Sequence, residues 1–190
     1  MTPCATPPVT TRRATPADAA LLAALAATTF SDTFGPDNTP VDMALYMAES
    51  FGEDRQRGEL ADSRHTVFFA ERAGEAVGYT MLREGPAPDV IRDADSIEIA
   101  RLYATKRLLG LGVGATLMQR CLDESAARGL STIWLGVWEH NARAIAFYRR
   151  WGFADVGTTT FMLGHDRQTD RVMARRVAGV AEGGVECDIR

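Results

Sequence analysis

Apolar residues recur along this chain with two spacings, and each change of spacing marks an element boundary. Alternation over His65–Arg72 and Glu75–Arg83, around Ala73-Gly74, predicts a hairpin with Val67, Phe69, Val77, Tyr79 and Met81 on one face. Ile97–Ala104 reads as another strand, with Ile97, Ile99, Arg101 and Tyr103 on one face and Glu98, Ala100 and Leu102 on the other. Ser131–Trp138 sets Ile133, Leu135 and Val137 against Trp134, Gly136 and Trp138. Val9–Arg13, Phe153–Leu163 and Thr169–Val177 complete the predicted strands, the last two joined at Gly164-His165-Asp166.

Helical spacing fills the intervals. Pro16 opens a helix running from Ala17 to about Thr29, with Leu21, Leu22 and Leu25 inward. Thr39 caps a second helix through Met43, Tyr46, Met47 and Phe51. Val113, Leu117 and Cys121, with Met118 and Leu122, stripe a helix from Gly112 to Arg128 that stops at Gly129. Ala144, Ile145, Tyr148 and Trp151 stripe another between Asn141, as N-cap, and Gly152. Phe30–Pro40, the charged Gly52–Arg64 and the Gly- and Pro-bearing Glu84–Asp95 read as connections. The order predicts one mixed α/β (α+β) domain over residues 9–177, a loose lead-in over 1–8 and a frayed tail over 178–190.

Composition narrows the partners. At 190 residues and 46% apolar content, one domain has enough chain for a full core. A net charge of −4 with no basic block argues against nucleic acid and suits a cationic small molecule. Cys4, Cys121 and Cys187 have no paired spacing, and no secretory or bilayer-length apolar run occurs, so the expected compartment is the cytoplasm with no membrane contact. His65 and His165 have no ligand-spaced partners, so no metal site is expected. His140, a lone histidine beside Asn141, is a weaker candidate base.

The chemistry concentrates between Ile97 and Gly152. Gly110, Gly112 and Gly114 alternate with Leu111 and Val113 after the strand and before a helix. Glycines let backbone N–H groups converge, and the helix N-terminus adds its positive dipole end, so the predicted feature is an anion cradle matched to a pyrophosphate. A Walker loop would require Lys-Ser or Lys-Thr where Ala115-Thr116 stands. Gly110, Gly112 and Ala115 fit the dinucleotide fingerprint, but a basic loop separates them from the strand and the next strand ends in Trp138-Glu139. A tight turn with no ligand is the remaining plain reading.

Gly112 and Gly114, taken with Asn141, Tyr148 and Gly152-Phe153 at N-x(6)-Y-x(3)-GF spacing, resemble the GCN5-related N-acetyltransferases (GNAT). Leu109 stands where that family's glycine motif begins with Gln or Arg, and Arg107 is a candidate substitute charge. The blocks TFSDTFGPDNTPVDMALYMAESF, TIWLGVWEHNARAIAFYRRWGF and GTTTFMLGHDRQTDRVM are similar to the PaiA-type spermidine/spermine N-acetyltransferases, with Thr159 where a histidine is common. The resemblance implies a GNAT fold: a mixed central sheet of about six to seven strands, helices on both faces, and a cofactor cleft splayed between the fourth and fifth strands. It implies acetyl-CoA as cofactor, an amine acceptor such as a polyamine, and leaves room for a homodimer. A protein N-terminus, a lysine, an antibiotic amine, or non-catalytic acyl-CoA binding are the alternatives.

That resemblance assigns roles. Leu102, Tyr103 and Ala104 would hold the acetyl carbonyl and pantetheine, Leu109, Gly110, Leu111, Gly112, Val113, Gly114 and Ala115 the pyrophosphate, and Asn141, Phe147 and Tyr148 the pantetheine arm. Phe34, Asp42, Tyr46, Glu98 and Trp138 would meet the acceptor, since an ammonium suits carboxylates and aromatic faces. An amine of reference pKa near 10.4 is neutral in only about one molecule in 10³ at pH 7, so a base is required. Glu98 is the candidate base and Tyr148 the candidate acid for the departing thiolate. Each also has a plain reading: Glu98 as a strand carboxylate paired with Arg101, Tyr148 as core, Asp42 as a first-turn residue and Asn141 as a cap.

Overall fold

The computed structural model describes residues 7–177, so Cys4, Cys187, most of the lead-in and the tail lie outside the described residues. A seven-stranded sheet runs in the order β1-β2-β3-β4-β5-β7-β6. Its strands are β1 (Thr10–Arg13), β2 (His65–Arg72), β3 (Glu75–Arg83), β4 (Ser96–Ala104), β5 (Thr132–Trp138), β6 (Ala154–Leu163) and β7 (Asp166–Arg176). The helices are α1 (Ala19–Phe34), α2 (Pro40–Ser50), α3 (Glu53–Ala61), α4 (Val113–Ala127) and α5 (Ala142–Arg150). The predicted mixed sheet and hairpins are present, with the β2–β3 turn at Ala73-Gly74.

Every neighbouring pair of strands is antiparallel except β4 and β5. A parallel pair needs a long crossover, which α4 supplies. β4 and β5 stay in register only from Ser96↔Thr132 to Glu98↔Trp134 and then part. A bulge falls in the same strand: Met81 faces Arg101 and Leu82 faces Ile99, which leaves Ala100 unpaired. One extra residue reverses the inside-outside parity of everything after it. Ile97 and Ile99 pack with Leu102 beneath α4 and α5, whereas Ala100 and Tyr103 join the opposite core beneath α1 and α2. Strict alternation over Ile97–Ala104 is therefore corrected: Arg101 and Tyr103 share a face with Glu98, not with Ile97 and Ile99.

Two helical boundaries also differ from expectation. α1 continues to Phe34, because nothing breaks it before Gly35-Pro36, and Thr33 Oγ1 donates to Thr29 O at 2.7 Å. Its buried stripe is Leu22, Leu25, Ala26, Thr29 and Phe30, so Leu21 is exposed rather than inward. The charged connector contains α3, which an apolar pattern does not reveal because its buried face is Gln56 and Glu59. Gln56 Nε2 donates to Ser50 O at 2.7 Å, and Arg101 donates to Glu59 through both terminal nitrogens, at 2.7 and 3.1 Å. The guanidinium also lies 5.5 Å from the Phe51 ring centroid.

This forked pair ties α3 to the bulged part of β4. Glu59→Ala would leave the Arg101 guanidinium enclosed without its anion, and removing one partner of a buried pair costs about 3 kcal/mol. The expected result is a lower urea midpoint with an unchanged slope.

Candidate functional site

Where β4 and β5 separate, a cavity of about 1580 Å³ opens through the sheet. Its upper rim is the turn after β4. Gly110 and Gly112 have φ of 84° and 89°, the left-handed region in which a Cβ is strained. Gly112 is the N-cap of α4 and offers no side-chain acceptor. The first intrahelical bond, Thr116 N–H to Gly112 O, measures 2.9 Å, so the preceding amides of α4 have no carbonyl one turn back. Free amides at a helix N-terminus, with its dipole, are a chemistry that suits an anion. Gly114 lies beside the Phe147 ring of α5, where a Cβ would sit at ordinary contact distance, 3.6 Å.

Leu102, Tyr103, Ala104, Leu109, Gly110, Gly112, Gly114, Ala115, Asn141, Phe147 and Tyr148 all line this one cavity. Two expected side chains do not. Leu111 points to solvent and its N–H is taken by Leu108 O at 3.2 Å, while Val113 is buried against Ala70, Val77 and Leu117. Any contribution of Val113 is confined to its main chain. Arg107 is not a spare charge beside the glycines, because Glu75 holds it at 2.7 Å. Asn141 does cap α5, accepting from Ala144 N–H at 3.1 Å.

Tyr148 sits on the inner stripe of α5, 8% exposed, with its ring against Phe153 and Phe147. Burial raises its phenol pKa above the usual range, and neighbouring Cys121 adds to the rise. The phenol therefore keeps its proton at working pH.

Beyond the splay the cavity becomes an aromatic chamber. Phe34 meets Trp138 edge-on at 6.1 Å, and Tyr46 stacks on Phe30 at 4.7 Å and meets Phe161 at 5.3 Å. Phe34, Tyr46, Glu98 and Trp138 line it as expected, together with His140. Asp42 does not. It accepts from Thr39 Oγ1 at 2.6 Å and from His165 N–H at 2.8 Å, which ties α2 to the β6–β7 turn outside the cleft. The carboxylate of Glu98 is paired, at 2.6 Å, with Arg83 and not with Arg101, because Arg83 is its register partner on β3.

Sequence reasoning missed Asp170 on β7. It lies directly across the ladders from Trp138 and Thr159, and all three line the chamber. Its Oδ1 is buried without a hydrogen-bond partner among the described residues. Desolvation, with repulsion from Glu139, pushes its pKa up to about 6. Its carboxylate leans over Gly136, where a Cβ would come within 3.3 Å of Oδ2. The available signal was Gly136 itself, a glycine inside a strand between two tryptophans, which marks a close approach. Among the described residues no cluster of three or more His, Cys, Asp or Glu could hold a metal ion.

The Asp170 carboxyl has a higher pKa folded than unfolded, so the unfolded chain ionises first as pH rises. Its destabilising effect is absent below about pH 4, grows toward about pH 6 and is constant above. Asp170→Asn is expected to melt above the wild type at pH 8, with the gap closing toward pH 4 in a thermal-melt series. A gap independent of pH would contradict the enclosed carboxylate.

Comparison with known proteins agrees with this geometry. Residues 28–153 match the acetyltransferase (GNAT) family. An uncharacterised N-acetyltransferase of Lactobacillus delbrueckii subsp. lactis is 36% identical over 152 residues, covering 80% of this chain and 88% of that protein. Another from Mycobacterium tuberculosis (strain ATCC 25618 / H37Rv) is 36% identical over 160 residues, covering 84% and 98%. In fold, the crystal structure of the PaiA N-acetyltransferase from Thermoplasma acidophilum in complex with coenzyme A matches with a TM-score of 0.74 at 17% identity, over 89% of this chain and 99% of that one. With the family match running from α1 through the glycine turn to the end of the Tyr148 helix, this chain belongs to the acetyltransferase (GNAT) family.

Proposed function

We propose that this enzyme acetylates a primary amine of a small cationic molecule, a polyamine such as spermidine or spermine. The observation that carries this reading is one continuous cavity bordered by the free main-chain amides of α4, by Tyr148 and by an aromatic, acid-bearing chamber. The amides between Gly112 and Ala115 suit the diphosphate of acetyl-CoA. The β5-facing edge of β4 beyond Glu98 has no strand partner, so its backbone groups are available to the pantetheine arm and the acetyl carbonyl. Phe147 and Asn141 border that path from α5.

Within this reading the acceptor nitrogen, once neutral, attacks the thioester carbonyl carbon. The N–C bond forms, the C–S bond breaks, and Tyr148 gives its proton to the departing sulfur. The nitrogen's remaining excess proton returns the phenol to its starting state. Glu98, held by Arg83, lines the acceptor side of the cavity. The aromatic faces of Phe34, Tyr46 and Trp138 suit an alkylammonium. The free thiol of Cys121 is buried and desolvation raises its pKa to about 12, which makes it a poor nucleophile.

Release of free thiol from acetyl-CoA on adding spermidine, spermine or an aminoglycoside tests the reading. Turnover should be fastest with the linear polyamines. Thiol release at the solvent rate with every amine would refute it. Tyr148→Phe should lower kcat by about 100-fold with little change in acetyl-CoA affinity by calorimetry. Equal turnover would remove Tyr148 from the chemistry.

A further inference from the structure

The chamber contains two carboxylates with different surroundings. Glu98 is engaged by Arg83 at 2.7 and 2.6 Å. Asp170 forms no ion pair among the described residues: the enclosed guanidinium of Arg101 is held by Glu59, and Arg171, its chain neighbour, lies 3.7 Å from Asp155. Gln168, two residues before it on the same strand, donates instead to Asn38 and Asp166 at 2.6 and 2.9 Å. Asp170 Oδ1 is left buried with no donor among the described residues.

An enclosed carboxylate without a counter-charge is unfavourable unless something completes it. What fits is a positively charged donor small enough to pass between aromatic rings, and an alkylammonium is such a group. The chain also makes room for this carboxylate. Gly136 is exposed to the cleft between the two tryptophans of β5, and any side chain there would crowd Asp170 Oδ2. Thr159, the register partner of Asp170 on β6, is short and leaves the approach open.

We propose that Asp170 binds the acceptor's reacting ammonium and is the base that takes its first proton. The assignment rests on the acetyltransferase reading above. Two protons leave the nitrogen in the overall reaction. The first passes from the ammonium to an Asp170 oxygen and on to water, which leaves a lone pair for attack on the carbonyl carbon. The second departs as the amide forms and balances the proton given by Tyr148 to the sulfur. A carboxyl whose pKa is raised by burial is a stronger base than an ordinary aspartate and returns its proton to water readily near neutrality.

The test measures thiol release with the most active of spermidine, spermine and an aminoglycoside, in wild type and Asp170→Asn. The variant should lose at least about 100-fold in kcat/KM for that amine while binding acetyl-CoA with unchanged affinity by calorimetry. With a hydrazide acceptor, which is already neutral at pH 7, the loss should shrink to less than about tenfold, because no proton needs to be taken first. Gly136→Ala, which presses a methyl group against the carboxylate, should also weaken amine turnover and decides the matter if Asp170→Asn fails to fold. Amine turnover within about threefold of wild type in the folded variants overturns the assignment while leaving the enzyme an acetyltransferase. A wild-type protein that turns over none of the three amines overturns both.

Discussion

The parallel pairing of β4 with β5 ends after Glu98 and Trp134, and the site depends on that ending. A sheet interior does not normally leave backbone groups unpaired, since each buried N–H or C=O needs a partner. Here β4 is held by β3 on its other edge and β5 by β7, so the gap between them persists without unravelling the sheet. The bulge at Ala100 turns Tyr103 and Arg101 toward the acceptor side and Leu102 toward α4. One inserted residue thereby gives both compartments of the cleft their walls.

Charge around the cleft is distributed unevenly, and the unevenness carries meaning. Arg83 with Glu98, Arg107 with Glu75 and Arg149 with Asp155 are partly exposed pairs, each worth little to stability. Of the three, only the Arg83–Glu98 pair borders the cavity. The enclosed Arg101–Glu59 pair is different in kind, since it joins a helix of almost no apolar character to the bulged strand.

Much of this was legible in the sequence because it is carried by local spacing. The hairpin of β2 and β3, the stripe of α4, the capping of α5 by Asn141 and the glycine turn follow from residues near one another in the chain. What was not legible depends on pairing at a distance. A bulge adds no residue type of its own, so the reversal at Ala100 is invisible to alternation. α3 escaped because its inward face is polar and makes sense only with Arg101 opposite. Asp42 reads as an acid near an amine, yet it is consumed by the His165 amide 123 positions away. Asp170 reads as one more strand acid until Gly136 is placed beneath it.

The two halves of the cleft are built with different materials. On the donor side, α5 alone supplies the Tyr148 phenol, the Phe147 ring against Gly114 and the Asn141 cap, while Ile145 and Tyr148 lie in the same core as β4 and β5. The glycine turn and the Tyr148 phenol are thus fixed relative to one another by close packing, which tolerates little displacement. On the acceptor side, α2 buries only Met43 fully and is tied to β6 and β7 by Asp42 to the His165 amide, with Gln168 to Asn38 just before the helix. Polar ties of this kind exchange more easily than a packed core. Residues of α2 and the β6–β7 turn can therefore change without rebuilding the core between the sheet, α4 and α5.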